Sequence, residues 1–196
     1  MLLHGYGADG ADLIGLASFF APSLPHAEFV APNAPEPGEM GFGYQWFGIT
    51  GLNPALMAAG VRRAAPLLDA FIDDALTRRG LGADRLALIG FSQGTMMALD
   101  RALRRVDAAR AIVGFSGMVT DPSGSLEDGV VRPPVLLVHG TADPVVPFAY
   151  QAEAEAALTR AGFPVETMVR PGLGHGIDPE GAEQAAKFLA LHLAAS

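Results

Sequence analysis

Short apolar, strand-like runs alternate along this chain with longer stretches in which apolar side chains recur every three or four positions. The runs are Met1-Leu2-Leu3, Phe29-Val30-Ala31, Leu86 to Ile89, Ala111 to Phe115, Val135 to Val138 and Val165 to Val169. Their shortness and continuity read as strands buried on both faces. Helical spacing covers Asp12 to Phe20, Ala55 to Arg79, Thr95 to Arg104, Phe148 to Arg160 and Glu180 to Leu193. Strands that alternate with helices predict an α/β fold, a mostly parallel sheet with helices on both faces.

Local signals set several boundaries. Asn53-Pro54 offers a capping side chain followed by proline in the first helical turn, and Asp178-Pro179 repeats the device before the last helix. Pro66 is expected to kink or break the second helix, because it removes an internal hydrogen bond. The first run is the odd one: Leu2-Leu3 reads as the end of a strand whose first half is absent, with Met1 inside it. The expectation is a sheet lacking its N-terminal strands, from a truncated or misassigned start, with an edge open to pairing. There is no internal repeat and no low-complexity linker, so residues 1–196 read as one domain without a separate lid domain.

Composition narrows the function. A chain of 196 residues buries a substantial core. No apolar run approaches the roughly 20 residues of a membrane span, and the start lacks the basic and apolar regions of a signal peptide. The net charge of −8 opposes nucleic acid and anionic membrane surfaces as partners, and favours neutral or weakly charged small substrates. With no cysteine there is no disulfide, thiolate nucleophile or cysteine-bound metal, which fits a cytoplasmic setting.

Candidate chemistry begins at Gly90-Phe91-Ser92-Gln93-Gly94, between a strand run and a helical stretch. A serine flanked two residues away by glycines, on a strand-to-helix turn, has the form of a nucleophile elbow. The turn forces strained backbone on the serine, and glycine removes the Cβ atoms that would collide. Chance alone yields this pattern in about one of ten chains of this composition, so its context decides. A serine hydroxyl needs a base and the base an orienting acid, and on a fold with such an elbow the chain order is serine, acid, histidine. Of the five histidines, His4, His26 and His139 come too early, and His192 sits inside the last helix. His175, in Gly172-Leu173-Gly174-His175-Gly176 after a strand, is the candidate base. Asp143, in the loop after the preceding strand, is the candidate acid; Asp121 and Asp128 are rivals, and Asp178 reads as a cap. Ser116 also stands at a strand end but lacks the second glycine of an elbow, and reads as structural or supporting. An oxyanion hole needs two backbone N–H groups. Gln93, next after the serine, and Tyr6, in the turn His4-Gly5-Tyr6-Gly7, are the candidates, with Gly5 or Gly7 as substitutes for Tyr6. The chemistry needs no cofactor and no metal.

Leu3-His4-Gly5-Tyr6-Gly7-Ala8-Asp9, Tyr44-Gln45-Trp46-Phe47, Gly90 to Gly94, Gly140 to Pro147 and Gly174-His175-Gly176 occur in the order seen in one family. The chain resembles the phospholipase/carboxylesterase family of α/β-hydrolases, which includes the acyl-protein thioesterases. The resemblance supports Ser92, Asp143 and His175 as a triad, with Tyr6 and Gln93 as oxyanion donors. It implies hydrolysis of short- to medium-chain carboxylic esters, without cofactor and without stable membrane insertion, and leaves a homodimer open. It also suggests that the loop Pro32 to Gly51 walls an acyl pocket. Trp46, Phe47, Met118 and Ile177 are then candidate lining residues, with Met57 and Phe148 as further ones. Core packing is the competing account of each. Two other readings stand beside the esterase: a thioesterase or lysophospholipase using the same triad, and a non-catalytic binding module on a hydrolase scaffold.

Overall fold

The computed structural model describes residues 1–39, 41–49, 51, 53–107, 109–121 and 131–193. Five parallel strands form its sheet: β1 (Leu2–Leu3), β4 (Ala87–Phe91), β5 (Ala111–Phe115), β6 (Val135–Gly140) and β7 (Val165–Arg170), in that spatial order. Their side chains alternate between two cores, as strand pleating requires. Leu3, Leu88, Ile112, Val135 and Leu137 face one side, while Leu2, Ala87, Ile89, Val113, Phe115, Leu136 and Val138 face the other. Burial on both faces is why Ala87 to Ile89, Ala111 to Phe115 and Val135 to Val138 are continuous runs, whereas the edge strand β7 is largely exposed and carries Glu166 and Thr167 between its apolar positions.

Three helices cover the first face: α3 (Pro54–Thr77), α4 (Gln93–Arg104) and α5 (Ala149–Arg160). The second is covered by α1 (Gly10–Ile14), α2 (Ala17–Phe20) and α6 (Pro179–Leu193). The two capping devices are present. Asn53 Oδ1 accepts from Ala55 N at 3.0 Å, and Asp178 Oδ1 accepts from Gly181 N at 2.9 Å.

Four expectations need correction. Pro66 does not break α3, which runs 24 residues through it. Pro66 is exposed, so its lost bond falls where water can solvate the freed carbonyl, and the buried face from Met57 to Ile72 holds the helix. The stretch Asp12 to Phe20 is two short helices, α1 and α2, rather than one. Phe29 to Ala31 forms no ladder; its one bond to the sheet is from Leu2 N to Val30 O, at 2.7 Å. Finally, the long loop after it contains a small antiparallel hairpin of β2 (Glu36–Pro37) and β3 (Tyr44–Gln45).

Candidate active site

The candidate site lies at the C-terminal ends of the strands, where an open parallel sheet gathers its loops. Ser92 follows β4 directly and precedes α4, with φ 54° and ψ −114°. The flanking glycines are required by different neighbours. A Cβ on Gly90 would stand 2.4 Å from Thr95 N, inside the turn itself. One on Gly94 would stand 1.9 Å from Leu3 O, so that glycine lets α4 start against β1. At Gly5, an added Cβ would lie 3.3 Å from Ser92 Cβ, which puts the loop after β1 directly over the serine.

The Tyr6 and Gln93 N–H groups donate to no protein acceptor among the described residues, whereas Gly7 N is committed to Tyr44 O at 2.9 Å. Gly7 is thereby removed as a substitute donor. Gln93 N also stands in the first turn of α4, where the free N–H groups and helix dipole favour a developing negative charge.

Asp143 and His175 are brought together. His175 Nδ1–H donates to Asp143 Oδ2 at 2.8 Å, which leaves Nε2 as the ring's free nitrogen. Asp143 Oδ1 accepts from Val145 N and Val146 N, both at 2.9 Å. Burial alone would raise the Asp143 carboxyl, but the bonds from His175, Val146 and Val145 outweigh it and hold the pKa below its ordinary value. The two loops are laced together by Ala142 N to Leu173 O at 3.0 Å and by Gly172 N to Thr141 Oγ1 at 2.9 Å. Gly140 allows this crossing, since a Cβ there would meet Leu173 O at 2.2 Å. Arg170 bonds Asp178 at 2.8 Å and ties the two ends of the His175 loop. The His175 ring packs on Phe91, centroid to centroid 4.9 Å, beside Ser92. No hydrogen bond joins Ser92 to His175 among the described residues; such bonds tighten when substrate arrives.

A family model described as Phospholipase/Carboxylesterase matches residues 1–193. The chain belongs to this family. Esterase YpfH of Escherichia coli (strain K12) is 30% identical over 189 residues, 96% of this chain and 80% of that protein. Acyl-protein thioesterase 1 of Yarrowia lipolytica (strain CLIB 122 / E 150) is 33% identical over 76% of this chain and 71% of its own length. Among solved structures, esterase PE8 superposes with a TM-score of 0.92 at 40% identity, covering 98% of this chain and 91% of that one. The protein is a family hydrolase acting on ester bonds.

The candidate lining residues lie mostly within the core. Trp46, Phe47 and Met118 are 3%, 0% and 1% exposed and belong to the core that α3 and α4 cover. Phe47 sits over Gly60, where an added Cβ would meet its ring at 2.5 Å. Met57 is likewise buried in that core, and Ile177 packs partly buried against the opposite one. Phe148 turns its ring toward His139, edge to face at 6.0 Å. Asp121 pairs with Arg62 and Arg104 rather than with a histidine, and Asp128 lies outside the described residues.

Side chains in roles that the sequence did not assign hold the loops of this site together. Gln93 Oε1 accepts from Trp46 N at 2.8 Å, and its Nε2 donates to Phe47 O at 2.7 Å. Trp46 Nε1 in turn donates to His4 O at 3.0 Å. Fully buried His4 donates from Nδ1 to Gly5 O at 2.7 Å and accepts from Ala34 N at Nε2, which fixes a neutral tautomer. Burial lowers its pKa below the ordinary histidine value. Only polar residues beside an apolar run hinted at these roles.

Proposed function

We propose that this family member is a serine carboxylesterase of short- to medium-chain esters, with Ser92 as nucleophile, His175 as base and Asp143 as its orienting acid. The observation that carries the reading is the His175–Asp143 pair at 2.8 Å beside a serine in elbow conformation. Ser92 Oγ attacks the ester carbonyl carbon as its proton passes to His175 Nε2. Asp143 holds the ring orientation and favours the imidazolium. Tyr6 and Gln93 N–H groups bind the oxyanion; losing one such donor typically costs about 2.7–4 kcal/mol. The carbon–oxygen bond to the leaving alcohol then breaks, and His175 returns the proton to that oxygen. Water, deprotonated by His175, releases the acid and restores Ser92. The absence of cysteine is consistent with a cytoplasmic location, which is part of the same proposal.

Burst kinetics with p-nitrophenyl butyrate test this directly. Wild type is expected to give a p-nitrophenol burst and to take a fluorophosphonate label on Ser92. Ser92→Ala is expected to lose both; unchanged turnover in that variant would overturn the assignment. Resemblance to the Yarrowia acyl-protein thioesterase favours a second substrate class. Rates on a palmitoyl-thioester peptide, measured beside the ester series, separate the two.

A further inference from the structure

His139, the penultimate residue of β6, is a buried titratable group to which the mechanism gives no part. Its Nε2 lies 2.8 Å from Val146 O and 3.3 Å from Asp143 Oδ2. A carbonyl oxygen only accepts, so Nε2 carries the proton and donates to Val146. The positive end of that N–H dipole therefore also faces the carboxylate oxygen that receives His175. Val146 is in turn one of the two residues whose N–H groups hold Asp143 Oδ1. One imidazole thus grips the turn that carries the acid and faces the acid itself.

We propose that His139 is a positioning residue for the acid–base pair: it orients the Asp143 carboxylate through Val146 and tempers its negative charge toward His175. The inference rests on the proposed roles of Asp143 and His175. Around this cluster, β6 contributes His139, the following loop Asp143, and the loop after β7 His175. The neighbours from β4 and from the start of α5 are the uncharged Phe91 and Phe148. Arg170, Asp178 and Glu180, which flank the His175 loop, pair with one another. His139 is therefore the group whose removal should be felt by Asp143 and passed on to His175.

The sign follows from charge. Without the N–H dipole the carboxylate presents a more negative oxygen to His175 and holds its imidazolium more tightly. Catalysis needs the neutral ring, so the proton must leave at higher pH. In His139→Phe, which keeps ring volume beside Phe148, the acid limb of kcat/KM is expected to rise by about 0.5–1 pH unit. The plateau is expected to fall roughly tenfold. His139→Gln, which keeps an N–H donor, is expected to return the limb to its wild-type position and most of the rate. An unmoved limb in folded His139→Phe overturns the proposal even if the rate falls, since a purely structural role predicts only the loss. Nitrogen NMR of the ring in wild type decides the matter if that variant does not fold. The proposal requires His139 to stay neutral with its proton on Nε2 across the pH range in which activity rises. Protonation of His139 over that range, or a proton on Nδ1, overturns it. Failure of fluorophosphonate to label Ser92 in wild type would instead strike the underlying assignment of the site.

Discussion

At the scale of single residues, the site depends on where a Cβ atom has room. Gly94 lies against the backbone of β1, and that backbone cannot yield without moving the sheet edge and the loop above Ser92. Gly94→Ala would set a Cβ 1.9 Å from Leu3 O and 2.8 Å from His4 O. Overpacking of a buried, rigid contact typically costs about 1–3 kcal/mol, and this one also moves the serine relative to Tyr6 N–H. The urea midpoint and kcat for p-nitrophenyl butyrate should both fall. Gly174 makes the contrast. It flanks His175 in what looks like an equally strict glycine motif, yet a Cβ there meets nothing within 4 Å. Gly174→Ala should stay within about 0.5 kcal/mol of wild-type stability. A Gly174→Ala midpoint displaced as far as that of Gly94→Ala would show that the two glycines are held for the same reason.

Among elements, the β2–β3 hairpin is fastened to the loop after β1 by backbone bonds between Tyr44 and Gly7 and Ala8, while the aromatic segment after it is fastened to α4 by the Gln93 side chain. Gln93→Leu keeps the volume but removes both partners of Trp46 N and Phe47 O, which are buried. Unpaired buried groups cost about 1–3 kcal/mol each, so the variant should lose stability and, as the loop carrying Tyr6 loosens, kcat as well. Chemical denaturation and ester kinetics on the same preparation check both; wild-type values would mean that packing alone holds the segment. This is also where the sequence was least informative. The central strands were legible because burial on both faces writes an uninterrupted apolar run, and Ala111 to Phe115 is found with the expected bounds. The hairpin was not: two-residue strands such as Glu36–Pro37 carry no periodicity. Trp46 and Phe47 were legible as an apolar cluster near the strand ends but not as to which way they face. Only the fit of Phe47 over Gly60 decides that. The proposed order serine, acid, base could be read along the chain because Ser92, Asp143 and His175 each follow their own strand. His4 and His139 could not, because a buried histidine whose ring bonds distant backbone has no local signature.

For the molecule as a whole, stability should depend on pH through His4. Its bonds to Gly5 and Ala34, together with the bond from Trp46 to its carbonyl, tie the sheet edge to the hairpin segment and to the aromatic residues after it. Burial lowers the His4 pKa in the folded protein, against smaller opposing effects of the Gly5 bond, Asp9 and Asp12. The unfolded chain therefore takes up a proton near pH 6.5, while the folded one does so only at lower pH. Between those values the unfolded state binds more protons, so the contribution of His4 is full above the ordinary histidine range and falls as pH drops through the window. One such group gives a slope of at most about 1.4 kcal/mol per pH unit, flattening once the folded protein is protonated too. Asp143, whose carboxyl is also lowered, acts in the same direction but further down, as pH falls through and below the carboxylate value of 3.8. The Asp143 effect opens only near 3.8, and the buried Met1 ammonium, lowered from 8.0 to about 5, titrates in wild type and in a His4 variant alike, so the difference between the two isolates His4. Urea unfolding of wild type and His4→Leu between pH 5 and 8 should give curves that converge as pH falls. The variant is less stable at pH 8, where it lacks the acceptor for Ala34 N, and its curve is flatter below 6.5, where it has no ring to protonate. Parallel curves across that range would remove His4 as the titrating tie and leave it a packing residue only.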